Sequence, residues 1–553
     1  MHSEQYLPRG LIPVPHTVAG QTFVTALAMV LFAPVSPAAP TPNGSSFSDA
    51  QQSRIDYTRP EVTQPLMDCA EFIRLSGADN SILSATLFPA DSDRPEMCVV
   101  MGVIAPEVRY IVYLPSRWNG RLYMHGNGGY AGEALNDEVG HLARLKAARL
   151  GFATAFTNTG HDEASEPGGT WAHNNLQKEI DFGYRAVHLT AAHAKQLATA
   201  YYGRAPGYSY FDGCSTGGLQ GFSEAQRFPA DFDGILAGAP VFSLREMIWQ
   251  YWKNQKAITE TPLTRERLEL LGDTVLDLFD MADGVRDGVI GNPDTVDFNP
   301  GRDLPRTGGA SPGFTDAEIT TLATIYGPVY VGDKEIYPRT VVGGEFPGLA
   351  YEGGTYLPAA PESAWEGRVV PDSRGRLEQQ SILESWFRYF AFETDDSELD
   401  WKELDPKRDL SRMTQSGRIF NATDPDLSAF RERGGKMIIY HGWADFGVNP
   451  LSTVDYYRRV AQLSDDGAAA FLRLYLVPGM HHCAGGVNID RFDLITPLID
   501  WVETGVAPRD LVGYRVEHGR VTRSRPLCPY PRVARYRGTG SIDAHENFAC
   551  VEP

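Results

Sequence analysis

The chain has 553 residues, 42% hydrophobic and 22% charged, more than one compact domain usually holds and enough for a core plus a large insertion. Its formal net charge of −20 argues against a nucleic-acid partner, whose binding needs a basic face to displace counterions. The same charge favours a soluble, self-repelling protein.

Near the N-terminus, Thr22 to Ala33 is a short apolar run followed by small residues and prolines, the pattern of a secretory signal with its cleavage region. Residues 1–40 are therefore expected to be removed and the protein secreted, extracellular or periplasmic. The preceding stretch is long and carries one basic residue, Arg9, and a buried helix is the rival reading. The run is too short to span a bilayer, and no later apolar stretch is longer, so no membrane span is expected in the mature chain. Six cysteines can all pair in an exported protein, in any of fifteen ways. The most economical pairing joins the neighbours Cys69 with Cys98 and Cys528 with Cys550, leaving Cys214 with Cys483.

From Ala105 to Ala239, strand-like runs alternate with longer helical patterns. The runs are Tyr110 to Leu114, Arg121 to His125, Phe152 to Thr157, Tyr208 to Phe211 and Gly234 to Ala237. That alternation predicts βαβ units and a mostly parallel sheet. The rhythm stops at Pro240 and resumes with Lys436 to Tyr440 and Leu472 to Val477. Between them, residues 241–434 are rich in Gly, Pro and scattered aromatics: Trp249, Tyr251, Trp252, Tyr326, Trp365, Trp386, Phe387, Tyr389 and Phe390. Resumption of the sheet pattern predicts an inserted lid over the C-terminal edge of the sheet, where ligands of open α/β sheets bind; an independent domain is the alternative. The fold class is thus α/β, with a core in 41–240 and 435–553 and an inserted lid domain in 241–434; the serine elbow described next makes the core read as an α/β-hydrolase. The stretch after Pro526 reads as a loop-rich tail.

The run Gly213-Cys214-Ser215-Thr216-Gly217 lies between a strand pattern and a helix pattern, Gly218 to Arg227. This is the setting of a nucleophile elbow, where flanking glycines permit a strained turn that lifts a serine out of the sheet. An ester hydrolase also needs a base, a carboxylate to fix the base's tautomer, and donors for the oxyanion. Asp445 follows the strand Lys436 to Tyr440, and His482 follows the strand Leu472 to Val477, giving the order Ser, Asp, His of this fold. His481 competes with His482, and a Cys214–Cys483 bond would decide for His482, because each cysteine is adjacent to one of the pair. For the oxyanion, the N–H of Thr216 would act with one from His125-Gly126-Asn127-Gly128-Gly129-Tyr130-Ala131-Gly132, the glycine loop after an early strand. Gly129 is favoured, with Gly128 the near alternative. His441 is a candidate substrate contact or, alternatively, a histidine buried behind the site.

Inside the insertion, Asp280, Asp283 and Asp287 stand at close spacing with Gly284 and Gly288 between and after them. Oxygen donors in this pattern suit a hard cation, but a solvated acidic turn explains them as well.

Together, Gly213 to Gly218, the aspartate of the HGWAD segment and the pair His482-Cys483 resemble the tannase and feruloyl esterase family. Asp181 to His188 and Phe232 to Pro240 are similar to it too. The resemblance runs from about Cys69 to Cys550 and implies a Cys214–Cys483 disulfide. It also implies a structural calcium ion (Ca2+) in the lid, held by Asp280, Asp283, Asp287 and the carbonyls of Val285 and Val289. Phe279 departs from a lid cysteine of many members, and Leu219 from an arginine. The expected activity is hydrolysis of aromatic-acid esters through an acyl-enzyme on Ser215. Hydroxycinnamate (feruloyl) esters of plant polysaccharide come first, gallate esters second, with terephthalate half esters a further alternative. A non-catalytic binding protein would have lost part of the triad, and an intracellular lipase or peptidase would not need six cysteines.

Overall fold

The structure is a computed structural model that describes residues 46–57, 63–308, 312–345, 350–352, 355–357, 365–371, 376–464 and 467–553. The apolar run Thr22 to Ala33 and the expected cleavage region lie outside the described residues. Among the described residues, no helix is long and apolar enough to cross a membrane.

Nine strands form the central sheet: β1 (Asn80–Phe88), β2 (Met97–Ile104), β3 (Val108–Pro115), β4 (Arg121–His125), β5 (Ala153–Thr157), β6 (Tyr208–Cys214), β7 (Gly234–Gly238), β8 (Lys436–Gly442) and β9 (Leu472–Val477). Their spatial order is β1-β2-β3-β5-β4-β6-β7-β8-β9. From β5 to β9 every pairing is parallel, and β1, β2 and β3 add an antiparallel flank joined to β5. The sheet is therefore mixed, not uniformly parallel, and the sequence reading missed β1 and β2. The edge strand β1 is largely exposed, including Leu83 and Leu87, so it lacks the alternation that marks a half-buried strand.

Successive strand residues face opposite sides, and the two cores follow that alternation. Leu122, Phe211, Ile235, Met437 and Leu474 join one core with helices α2 (Ala186–Tyr202), α3 (Thr216–Arg227) and α7 (Pro450–Leu463). Tyr123, Tyr210, Leu236, Ile438 and Tyr475 join the other with α1 (Glu138–Arg149) and α8 (Ile495–Thr504). Helices on both faces of the sheet, with a strand-turn-helix at Ser215, make an α/β-hydrolase.

The chain between β7 and β8 builds α4 (Leu244–Glu260), α5 (Arg265–Phe279) and α6 (Glu378–Tyr389) among shorter pieces. It carries two apolar cores of its own, one around Trp249, Trp386 and Phe390 and one around Leu271, Leu322 and Trp365. The first also takes in Trp171, Phe182 and Val448 from the sheet-bearing part. Tyr130, on the loop after β4, stacks on Phe390 and donates its hydroxyl to the Ile382 carbonyl; Tyr251 donates to the Gly447 carbonyl on the loop after β8. The insertion thus packs on loops that follow the C-terminal ends of sheet strands. Of the nine aromatics noted in the sequence, seven are buried in these cores, and Trp252 and Tyr389 are half-buried. Most are packing residues, since a large insertion needs apolar mass to stay folded. Phe279 packs edge-on against Phe298.

All six cysteines are paired, as Cys69–Cys98, Cys214–Cys483 and Cys528–Cys550. The second closes a separation of 269 residues, worth about 5 kcal/mol in the chain-entropy model.

Candidate active site

Ser215 sits between the last residue of β6 and the first of α3, with φ 63° and ψ −117°. A left-handed φ on a side-chain-bearing residue is uncommon and costs roughly 1–3 kcal/mol, which the surroundings must enforce. Two features enforce it. The Ser215 N–H is bonded to the Gly238 carbonyl of β7, and the flanking glycines leave no room for a side chain: a Cβ on Gly213 would lie 2.7 Å from the Cα of Gly217, and one on Gly218 would lie 2.5 Å from the Gly238 oxygen. Leu219, next along α3, is buried in the core against the sheet.

The loops after β8 and β9 bring the other two residues to this elbow. Ser215 Oγ donates to His482 Nε2 at 2.8 Å, and His482 Nδ1 donates to Asp445 Oδ2 at 2.6 Å. Asp445 Oδ1 accepts the N–H groups of Gly447 and Val448, each at 2.9 Å. Burial alone would raise the Asp445 pKa, but the His482 charge and the hydrogen bonds from both histidines override it and hold the carboxyl far below the usual range. Gly442 makes the close approach of these loops feasible, because a Cβ there would lie 2.2 Å from the Met480 carbonyl oxygen. The Cys214–Cys483 bond, with Cα atoms 6.0 Å apart, ties the residue before Ser215 to the residue after His482. Among the described residues no hydrogen bond joins the His481 ring to this chain of bonds, and burial, with Arg368 nearby, pushes its pKa down to about 4.

His441 is not positioned as a substrate contact. It is the penultimate residue of β8, fully buried, with both ring nitrogens engaged. At the C-terminal end of β8 its ring bonds to the Asp445 carboxylate and is closed off from solvent.

The glycine loop after β4 is held from several directions. Asn127 and Gln220 of α3 exchange two bonds of 3.0 Å: the Asn127 N–H to Gln220 Oε1 and Gln220 Nε2 to Asn127 Oδ1. Glu133 receives the Gly128 N–H at 2.7 Å and Asn127 Nδ2 at 2.7 Å, and Gly126 donates to the Asp212 carbonyl. Thr216 Oγ1 donates to the Gly129 carbonyl at 2.6 Å. The amides of Gly126, Asn127 and Gly128 are thereby occupied; among the described residues the Gly129 N–H has no such bond. Thr216 opens α3, so its N–H has no partner within the helix. Glu133 and Gln220 escaped the sequence reading: a half-buried acid six residues beyond an asparagine carries no recognisable pattern.

Within the insertion, Asp280 accepts the N–H groups of Asp287 and Gly288, and Gly284 and Gly288 turn the loop with φ +96° and +80°. Burial and the neighbouring Asp287 push the Asp283 pKa up to about 7. Asp287 pairs through Oδ2 with Arg525, while its Oδ1 is buried and unbonded among the described residues. Val285 and Val289 are buried beside them. An orphaned carboxylate oxygen in an acid-rich loop fits a hard cation.

Residues 96–551 match the family model described as tannase and feruloyl esterase. The chain is 34% identical over 519 residues to the mono(2-hydroxyethyl) terephthalate hydrolase of Piscinibacter sakaiensis, covering 83% of this chain and 85% of that protein. It is 30% identical to feruloyl esterase B of Aspergillus niger, covering 79% and 83%. The crystal structure of feruloyl esterase B from Aspergillus oryzae is similar with a TM-score of 0.75 at 26% identity, covering 87% of this chain and 99% of that one. A serine elbow, a hydrogen-bonded histidine and a buried aspartate on this fold, matched along most of the chain, place it: the protein belongs to the tannase and feruloyl esterase family and is a carboxylic ester hydrolase.

Proposed function

We propose that the protein is a secreted serine esterase that hydrolyses esters of aromatic acids, feruloyl and related hydroxycinnamoyl esters first, including those attached to plant polysaccharide. The observation that carries this reading is the continuous Ser215–His482–Asp445 hydrogen-bonded chain in a chain similar to feruloyl esterases. His482 Nε2 takes the Ser215 proton as Oγ attacks the ester carbonyl, then returns it to the departing alcohol. Water, deprotonated by the same nitrogen, attacks the acyl-enzyme and releases the acid. Asp445 keeps the proton on Nδ1, so that Nε2 is free to act as base. The N–H groups of Thr216 and Gly129 receive the oxyanion, and removing one such donor typically costs roughly 10²–10³ in rate.

A terephthalate half ester is the second reading, favoured by the 34% identity to a hydrolase of that substrate; gallate esters are the third. Asp280, Asp283 and Asp287, with the carbonyls of Val285 and Val289, would hold Ca2+ as a structural ion, neutralising carboxylates that the insertion otherwise crowds together.

Methyl ferulate, methyl gallate and mono(2-hydroxyethyl) terephthalate, offered to wild type and Ser215→Ala, test the proposal. Wild type is expected to turn over at least one, methyl ferulate fastest, and the variant to lose roughly 10⁴-fold or more. Folded wild type that leaves all three intact would defeat the substrate class, and an active Ser215→Ala would defeat the site.

A further inference from the structure

We propose that His441 is a positioning residue for ester hydrolysis: its imidazole holds the Asp445 carboxylate in register with His482. The inference rests on the triad reading above and adds a fourth side chain to it.

Hydrogen bonding fixes the tautomer. Nε2 of His441 faces two acceptors, Asp445 Oδ2 at 3.2 Å and the Val448 carbonyl at 2.9 Å, and can approach both only as a donor. Nδ1 faces the Thr453 hydroxyl at 2.9 Å; in the neutral ring it accepts, so Thr453 donates. The chain Thr453–His441–Asp445–His482–Ser215 is then satisfied at every link. Asp445 accepts from four donors in all: two backbone N–H groups on Oδ1 and two imidazoles on Oδ2. With four partners the carboxylate has no freedom to rotate, and Oδ2 stays aimed at His482. The ring is fully buried at the end of β8 and reaches neither Ser215 nor the glycine loop by any described bond, so it acts through Asp445.

A carboxylate that shares its charge among four donors also attracts the imidazolium of His482 less strongly than one with three. Removing the His441 donor therefore predicts two separable effects: a looser aspartate, and a stronger pull on the His482 proton. The other groups that act on this assembly are His481 from the loop after β9, Arg368 beside His481, and Tyr337 of the insertion, whose hydroxyl accepts the Asn449 N–H. They are unchanged in the variants below.

The test compares His441→Leu, His441→Gln and Thr453→Val with wild type and Ser215→Ala, on whichever panel ester wild type hydrolyses. Glutamine keeps an N–H at the reach of Nε2. His441→Leu is expected to lower kcat by roughly 10- to 100-fold with little change in KM, and to move the acidic limb of kcat/KM upward by about half to one pH unit. His441→Gln should keep the wild-type limb and recover most of kcat, and Thr453→Val should shift the limb slightly in the direction of leucine. A folded His441→Leu with unchanged kcat and limb would overturn the inference, as would His441→Gln behaving like leucine in both. If leucine fails to fold, the limb positions in His441→Gln and Thr453→Val decide. Failure of the triad reading is separate, since it requires Ser215→Ala to remain active.

Discussion

Glu133 shows what the site asks of a single residue. Its two carboxylate oxygens receive the Gly128 N–H and the Asn127 side-chain amide, and this bracket holds the loop beside Gly129, whose N–H makes no such bond among the described residues. Burial raises the Glu133 pKa, and the bonds it accepts work against that rise. Glu133→Leu is expected to cut kcat by roughly 10- to 100-fold while the melting temperature falls by only a few degrees, because the loop loses its pre-aligned donor more than it loses packing; stopped-assay kinetics beside a thermal melt would check this. Thr216→Val removes the hydroxyl that holds the Gly129 carbonyl and should cost less, about 10-fold. At this scale Ser215, Asp445 and His482 were legible because each follows a strand in the order this fold requires. His441 was legible as a residue near the site and illegible as to role, since the direction in which a strand-end ring points depends on what closes over it.

Helix α3 carries a second demand besides presenting Ser215 at its start. Near its other end Glu224 is buried with no N–H or O–H donor among the described residues, and burial, then the nearby Asp231, push its pKa well above the ordinary range. Asp231 accepts from His188 of α2 at 2.5 Å, with Lys195, also of α2, 3.9 Å away. A protonated Glu224 can donate to Asp231 and complete the set. A group whose folded pKa is raised adds stability that is whole below its unfolded value of about 4.3 and is lost as pH rises toward the folded value. Wild type should accordingly lose melting temperature from pH 5 upward in a way that Glu224→Gln does not. Melts at pH 5, 7 and 9 that fall in parallel for the two proteins would contradict it. The parallel strands were readable as apolar runs between helical stretches. The edge strand β1 was not, because an exposed strand held by its pairing with β2 needs no apolar face of its own; β2 is itself apolar and largely buried, and its run went unread.

Across the whole molecule, the insertion shares its packing with the loops that carry Gly129 and Asp445, as Tyr130 on Phe390 and Phe446 on Trp365 show. Its acid loop is tied to the C-terminal part of the chain by Arg525 on Asp287. A cation bound there would stabilise that junction, so chelation should lower the melting temperature and added calcium restore it; a melt indifferent to both would count against the ion. The break in strand rhythm predicts an insertion at 241–434, and among the described residues that stretch adds no strand to the central sheet; its aromatics, known by type alone, could not be divided between core and surface. The Cys214–Cys483 bond has a consequence of another kind. Ser215 and His482 stand 267 residues apart in sequence, and one covalent link joins the residues beside them, Cys214 and Cys483. In a partly reduced preparation, the pre-steady-state burst should then count the oxidised molecules, falling one for one as free thiols at these two positions appear. Catalysis becomes a census of a single bond.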